Sequence, residues 1–326
     1  MTTIRFAVVG CGTAANHIHL PLLRAAGVEV TVFASRSRSS AEATCERWGS
    51  GRVVDAWTDA VVDGEVDAVL VTTPNAQHRD VAVTAATAGK HVLVDKPIAC
   101  TVADADDMIA AATANGVVLT PFQNTRFAAP FVAAHDVVTE GRIGDVTGVR
   151  AAFGHGGPQA WAPNADWFFE RARSGGGCLV DLGVHVIDLV RYVTGDDIVS
   201  VAAELNGRAG DVETDAQLVV RLSGGAIGTI HASWSSRPGP DHQLTLIGTD
   251  GTVHLDGGTP LTVFPVDGER ERVELPAGSG SPLDEFLAAV RGERDPSVTA
   301  ADGRAAIAVV EAAYRSAASG RREAVG

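Results

Sequence analysis

The sequence predicts an α/β domain followed by an α+β domain, and three observations carry that expectation. The chain has 326 residues, a length that suits two domains at roughly 100–200 residues each. Its first part alternates short runs rich in Val and Ile with Ala-rich segments of helical composition, the pattern of a parallel, doubly wound sheet. From Val199 to Glu274 the pattern changes to period two between turns, which predicts an antiparallel meander.

The elements follow in order. Ile4–Val9, Val28–Ala34, Ala68–Thr72, His91–Val94 and Val117–Thr120 read as strands buried on both faces. Ala41–Trp48, Ala76–Ala88 and Ala103–Asn115 between them read as helices. The texture shifts after this, which divides the chain into a first domain at 1–122 and a second at 123–326. In the second, a helix (Ala128–Glu140) leads to a strand near Val146–Phe153, a Gly/Pro/Trp-rich stretch (His155–Trp167) and a helix from about Leu179 to Val193. Turns in the meander are expected at Gly207–Gly210, Ser223–Gly225, Thr249–Gly251 and Asp256–Gly258. A small linker, Ala277–Pro282, precedes two closing helices, the last at Ala300–Ala318.

Composition excludes several classes. A balance of 26 basic against 40 acidic residues gives a net charge of −14, which disfavours a phosphate backbone or an anionic membrane as partner. No apolar run approaches the roughly 18 residues of a transmembrane helix. Phe6–Ala15 contains Gly10 and Gly12 after a single cation and reads as a buried first strand and turn rather than a signal-peptide core. Cys11, Cys45, Cys100 and Cys178 form no C-x-x-C pair. A protein of the reducing cytoplasm, without a zinc knuckle or disulfide framework, is the expectation. His17 and His19 do not share a helix face, and no metal site is expected.

The first strand runs directly into Gly10-Cys11-Gly12-Thr13-Ala14-Ala15, a G-x-G-x-x-A turn. There the first Gly permits the tight turn, the second lets a pyrophosphate approach the backbone, and the small third residue lets helix and strand pack closely. The pyrophosphate then meets the free N–H groups and positive end of the following helix, at Thr13 and Ala14. Where a dinucleotide fold that uses NAD(H) often places an acidic residue on the ribose 2′-OH, this chain has Ser35, Arg36 and Arg38. A guanidinium suits a 2′-phosphate, which favours NADP(H) and leaves NAD(H) as the alternative.

The strand His91–Val94 ends on Asp95-Lys96-Pro97, at the carboxyl edge where ligands bind in such sheets. Of the 26 basic residues only Lys90 and Lys96 are lysine. An ammonium is a compact donor suited to a single hydroxyl oxygen, so Lys96 is a catalytic candidate; the plain alternative is a surface cation beside a turn. Farther on, Gly175-Gly176-Gly177 opens a helix in which Asp181, His185 and Asp188 fall on one face among apolar neighbours. Buried carboxylates without partners are costly, so a cleft lined by Asp181 and His185 is expected, with an ordinary solvent face as the alternative and Asp188 as structural.

Together these motifs resemble the glucose–fructose oxidoreductase / inositol dehydrogenase / rhizopine-catabolism (Gfo/Idh/MocA) family. The resemblance spans essentially the whole chain. It rests on the glycine turn, Thr72-Thr73-Pro74-Asn75 with His78, and Gly89-Lys90-His91-Val92 leading to Asp95-Lys96-Pro97. It also takes in Asn124-Thr125-Arg126-Phe127, the glycine run, Asp181-x-x-x-His185-x-x-Asp188 and the last helices. The resemblance implies a Rossmann dinucleotide-binding domain and an α+β domain with a large, mostly antiparallel open-faced sheet, through which a homodimer or homotetramer forms. It implies catalysis by Lys96, Asp181 and His185, and places Thr73, Pro74, Asn75, His78, Asp95 and Lys96 among the cofactor contacts. Asp95 stands where Glu is commoner.

The expected chemistry is hydride transfer between a nicotinamide and a secondary alcohol or ketone of a sugar, cyclitol or nucleotide-linked sugar. His185 serves as base, Lys96 steadies the alkoxide, and Asp181 bonds the substrate hydroxyl or orients the pair. Trp161, Trp167, His155 and Arg126 are the expected substrate wall, with plugging of the domain junction as the alternative for the two tryptophans. A redox-assisted glycoside-cleaving enzyme of the same fold, or a non-catalytic sugar-sensing regulator, are the competing readings.

Overall fold

Short runs of Val, Ala and Leu with no polar interruption need cover on both faces, and a parallel sheet between helices supplies it. In the computed structural model of the protein, residues 3–49, 51–237, 241–257, 259–277 and 280–326 are described. Six strands, β1 (Arg5–Val9), β2 (Glu29–Ala34), β3 (Arg52–Val54), β4 (Ala68–Val71), β5 (His91–Val94) and β6 (Leu119–Pro121), form one parallel sheet in the order β3-β2-β1-β4-β5-β6. This is the Rossmann arrangement, whose order reverses between β1 and β4 and leaves a ligand crevice at their carboxyl ends.

Two short elements, β3 and the helix Trp57–Val61, are additions to the sequence reading. Three and five residues are too few to show a period. The last strand begins at Leu119 rather than Val117, because the Val118 N–H donates to the His91 ring at 3.0 Å. Helix starts follow their caps: Ser37 accepts from the Ser40 N–H ahead of Arg38–Trp48, and Thr101 from Asp104 ahead of Val102–Asn115.

The chain groups into two compact units. The first comprises Met1–Gln123, Ala172–Gly175 and Ser281–Arg304. The last two segments lie beyond the 122/123 division read from the sequence. The reason for the later one is packing: the helix Pro282–Val290 buries Leu283, Phe286 and Leu287 in the core of the parallel sheet, with the Phe286 ring 5.8 Å from that of Phe6. Pro282, read as linker, is the first residue of this helix, and Ser281 caps it. Linker residues 278–279 and Gly258 of the expected fourth turn lie outside the described residues.

The second unit comprises Asn124–Arg171, Gly176–Gly280 and Ala305–Gly326. Its strands are β7 (Val146–Gly154), β8 (Ile198–Asn206), β9 (Asp215–Leu222), β10 (Ile227–Ser233), β11 (Asp241–Gly248), β12 (Gly251–Leu255), β13 (Thr262–Pro265), β14 (Glu271–Arg272) and β15 (Glu323–Ala324). They form a nine-stranded sheet in the order β14-β13-β12-β11-β7-β10-β9-β8-β15. The expected single meander is in fact two, because β7 enters between β10 and β11 and pairs with β10 in parallel. Alternating hydrophobicity reports a half-buried strand but not its neighbour, so this insertion is invisible in the pattern. Helices Ala129–Thr139 and Val184–Thr194 pack on one face, while β9 alternates buried and exposed residues across the two. Among the described residues, no helix is long and apolar enough to cross a membrane.

Candidate active site

In the first unit the glycine turn is built as a cradle. Gly10 has φ 101°, and a Cβ there would stand 2.5 Å from the Thr72 carbonyl oxygen. Only glycine tolerates both conditions. At Gly12 nothing lies within 4 Å of where a Cβ would be, so the backbone is open to a ligand. Thr13 begins the helix that follows. The Thr73 hydroxyl, at the end of β4, is buried with no hydrogen-bond partner among the described residues. An open glycine turn after β1 and an orphaned hydroxyl after the neighbouring strand β4 fit a dinucleotide.

The remaining expected cofactor residues divide by what they touch. Pro74 is half-buried between Thr73 and Asn75. Asn75 donates to the Ser174 carbonyl at 2.8 Å. His78 is buried with Nδ1 2.8 Å from Pro97 O and Nε2 3.0 Å from Thr73 O. Burial, the largest influence, holds its pKa below the usual value. A neutral ring has one N–H, so His78 donates to one of these carbonyls and lies against the other, between the Thr73 loop and the Lys96-Pro97 turn. Asp95 accepts from the Lys96 N–H at 2.8 Å, and its other oxygen lies 3.3 Å from His19 Nε2. Burial alone would raise this carboxyl, but His19, Lys96 and His78 bring it down to about 2. Asp95 therefore fixes the Lys96 backbone. Arg38 is held by Glu42 at 2.8 Å and by Asp55, whereas Arg36 is exposed beside half-buried Ser35.

In the second unit, sheet register assembles a polar cluster. Ser233 pairs with Gly154 across the parallel β7–β10 ladder, so His155 and Trp234 leave the same sheet end side by side. Both reach Asp181. Trp234 Nε1 donates to Asp181 Oδ2 at 2.9 Å, and His155 Nε2 lies 3.8 Å from the same oxygen. The Gly157 N–H donates to His155 Nδ1 at 3.0 Å, which places the proton of a neutral ring on Nε2, facing the carboxylate. Asp181 sits in a π-helical turn, Leu179–Gly183, that runs into Val184–Thr194. His185 follows, its Nδ1 2.9 Å from Thr125 Oγ. Every residue from Gly176 to Val190 is buried.

An aromatic surface adjoins the cluster. Phe153 meets the His155 and His185 rings edge-on at 5.9 and 5.8 Å and stacks on His242 at 3.7 Å. Trp161 and Trp167 instead gather around Phe168, the first edge-on and the second stacked. Arg126 differs from its expected role: its guanidinium bonds both oxygens of Asp188, buried, and lies over the Tyr192 ring. The glycine run has its own explanation. Buried Glu213 accepts from the N–H groups of Gly177 and Leu179 and from the Tyr314 hydroxyl, at 3.0, 3.1 and 2.9 Å, and a Cβ at Gly177 would collide with the Glu213 backbone. Trp234, Phe153, His242 and Glu213 are not among the site residues expected from the sequence, where His242 reads as a surface or core residue of a strand. Their partners are distant along the chain, and only the parallel pairing of β7 with β10 would have placed Trp234 beside His155.

Comparison with known proteins adds to this geometry. Residues 4–123 match a family model described as an oxidoreductase family with an NAD-binding Rossmann fold, and residues 131–254 match the GFO/IDH/MocA C-terminal domain. The chain is similar to the 1,5-anhydro-D-fructose reductase of Ensifer adhaerens, 33% identical over 97% of both chains. It is 30% identical to the myo-inositol 2-dehydrogenase of Thermotoga maritima over 79% of each. A crystal structure of GenD2 from gentamicin A biosynthesis, in complex with NAD, superposes with TM-score 0.88 at 31% identity, covering 100% of this chain and 97% of that one.

Proposed function

The chain belongs to the GFO/IDH/MocA family of NAD-binding oxidoreductases, and on that premise we propose that it interconverts a secondary alcohol and a ketone on a sugar or cyclitol, with Lys96, Asp181 and His185 as the reacting groups. The observation that carries this reading is the Asp181–His155–Trp234 cluster: a buried carboxyl group on the same helix face as His185, with an indole N–H and an imidazole reaching it from the ends of two strands. Such groups are expensive to bury, and function is the usual reason for them.

Gly10, Gly12, Thr13, Ala14 and Thr73 would hold the dinucleotide, which when bound supplies a nicotinamide able to accept or give a hydride. His185 takes the hydroxyl proton on Nε2, for which Nδ1 must carry its own proton toward Thr125. Lys96 donates to the same substrate oxygen and steadies the negative charge that develops there. Asp181 orients the substrate hydroxyl and balances the imidazolium that forms. In the reductive direction His185 returns the proton. Phe153 and His242 offer a flat face for sugar C–H groups, with His155 beside it on Asp181; Trp161 and Trp167, gathered on Phe168, are a further aromatic surface for the substrate.

The finer preference, NADP(H) over NAD(H), rests on Ser35 and Arg36, because Arg38 already serves two carboxylates. A homodimer or homotetramer through the open sheet face draws support from exposed Val219, Ile227 and Ile247, and free cysteines suit the cytoplasm. The test is a matrix of NAD⁺ and NADP⁺ against myo-inositol and other cyclitols, and of NADH and NADPH against 1,5-anhydro-D-fructose and other keto sugars. Absorbance of the reduced nicotinamide is followed, with Arg36→Ala as comparison. Net turnover with at least one pair is expected, with Arg36→Ala losing NADP(H) selectively; no redox with any pair rejects the reading.

A further inference from the structure

Trp234 is anchored on three sides. Its backbone N–H donates to Thr214 O at 2.7 Å, its ring meets Phe169 edge-on at 5.8 Å, and its indole N–H donates to Asp181 Oδ2 at 2.9 Å. It is 5% exposed and Asp181 is 4% exposed, so neither group can exchange its partner for bulk water. An indole N–H only donates, and so it serves a carboxylate oxygen and cannot accept from a protonated acid. A hydroxyl or a water in its place could bond either form. We propose that Trp234 is the positioning residue of this site: it fixes the direction of the Asp181 carboxylate and holds it in the charged form.

The proposal needs only the second unit's own geometry; its consequence for turnover rests on the function proposed above. Titratable groups near Asp181 include His155 from the end of β7, at 3.8 Å, and Cys178 and His185 on its own helix. Burial pushes the Cys178 thiol far up and keeps it protonated. Every other titratable side chain is the same in a Trp234 variant, so a difference between the two proteins reads the loss of the indole donor.

The test is a pH titration of the Asp181 side-chain carboxyl by carbon-13 NMR in protein labelled at the aspartate γ-carbon, with Asp181→Asn assigning the signal. In Trp234→Phe the carboxyl is expected to titrate about one pH unit higher than in the parent, the effect of removing one donor to a buried carboxylate. Superimposable titrations overturn the proposal. Should Phe loosen the fold, as a thermal melt would show, benzothienylalanine at position 234 keeps the indole shape and replaces the N–H by sulfur, and the same shift is expected. Turnover on the dinucleotide and sugar matrix separates the two ideas. Wild-type rates in Asp181→Asn reject the assigned role of Asp181 and leave the titration untouched. Loss of activity in Asp181→Asn with an unmoved titration in Trp234→Phe rejects the role of Trp234 alone.

Discussion

Arg126 and Asp188 close a two-point ion pair in the interior of the second unit, with Nε 2.9 Å from Oδ2, Nη2 on Oδ1, and side chains only 7% and 1% exposed. Removing one member of such a pair strands the other charge in a medium that solvates it poorly. Arg126→Met is therefore expected to cost about 3–5 kcal/mol of unfolding free energy, and the double change Arg126→Met/Asp188→Leu to recover most of it. Urea unfolding of the three proteins checks this. A substrate-binding arginine would give the opposite signature: raised KM, stability nearly unchanged.

How much of this was legible beforehand follows from range. The glycine turn, the Asp95-Lys96-Pro97 strand end and the Asp181/His185 spacing are local, and each is visible within a few residues because a turn, a strand end or a helix face dictates it. Arg126–Asp188 joins residues 62 apart and Trp234–Asp181 residues 53 apart. Nothing in a linear pattern couples them. The same holds for Arg38, whose donors looked available for a phosphate until the fold brought Asp55 beside them. Strand periodicity also hid the parallel pairing of β7 with β10 in the large sheet, although that pair places His155 and Trp234 together.

Gly10 and Gly12 separate folding from binding. Gly10→Ala forces a Cβ against Thr72 at a left-handed φ, and is expected to cost about 2 kcal/mol or more in stability. Gly12→Ala meets no protein atom, so its stability should stay within about 0.5 kcal/mol of the parent. Its dinucleotide Kd should nonetheless rise by about tenfold or more, since the added methyl occupies the path of the pyrophosphate. Calorimetric titration paired with a thermal melt reads both effects. Equal loss of affinity and stability in Gly12→Ala would remove the cradle from the account.

Lys96→Ala and His185→Ala are each expected to lower kcat by about 10²–10⁴, the usual worth of a positioned acid–base or charge-stabilising group. His185→Ala should leave the dinucleotide Kd unchanged and flatten the acidic limb of the kcat/KM profile, because the base that must be neutral is gone. Steady-state kinetics across pH, on whichever pair in the matrix turns over, decide the matter. Wild-type rates in both variants dismiss the assigned chemistry.

Asp95 ties stability to pH. Its carboxyl is brought from the ordinary 3.8 down to about 2 in the folded protein, so the unfolded chain binds a proton that the folded one refuses. A depressed folded-state pKa contributes stability that is complete above the ordinary value and fades as pH falls toward the folded one. The shift corresponds to about 2 kcal/mol at neutral pH. Asp95→Asn keeps an oxygen for the Lys96 N–H but removes the charge that His19 faces. The variant should therefore be less stable than the parent by about 2 kcal/mol at pH near 7, with the gap narrowing below about pH 4 and nearly closed by about pH 2. Urea melts at three pH values within that range read the convergence. A gap that stays constant with pH would show that Asp95 acts through shape alone, and that the His19–Asp95 contact beneath Lys96 carries no charge.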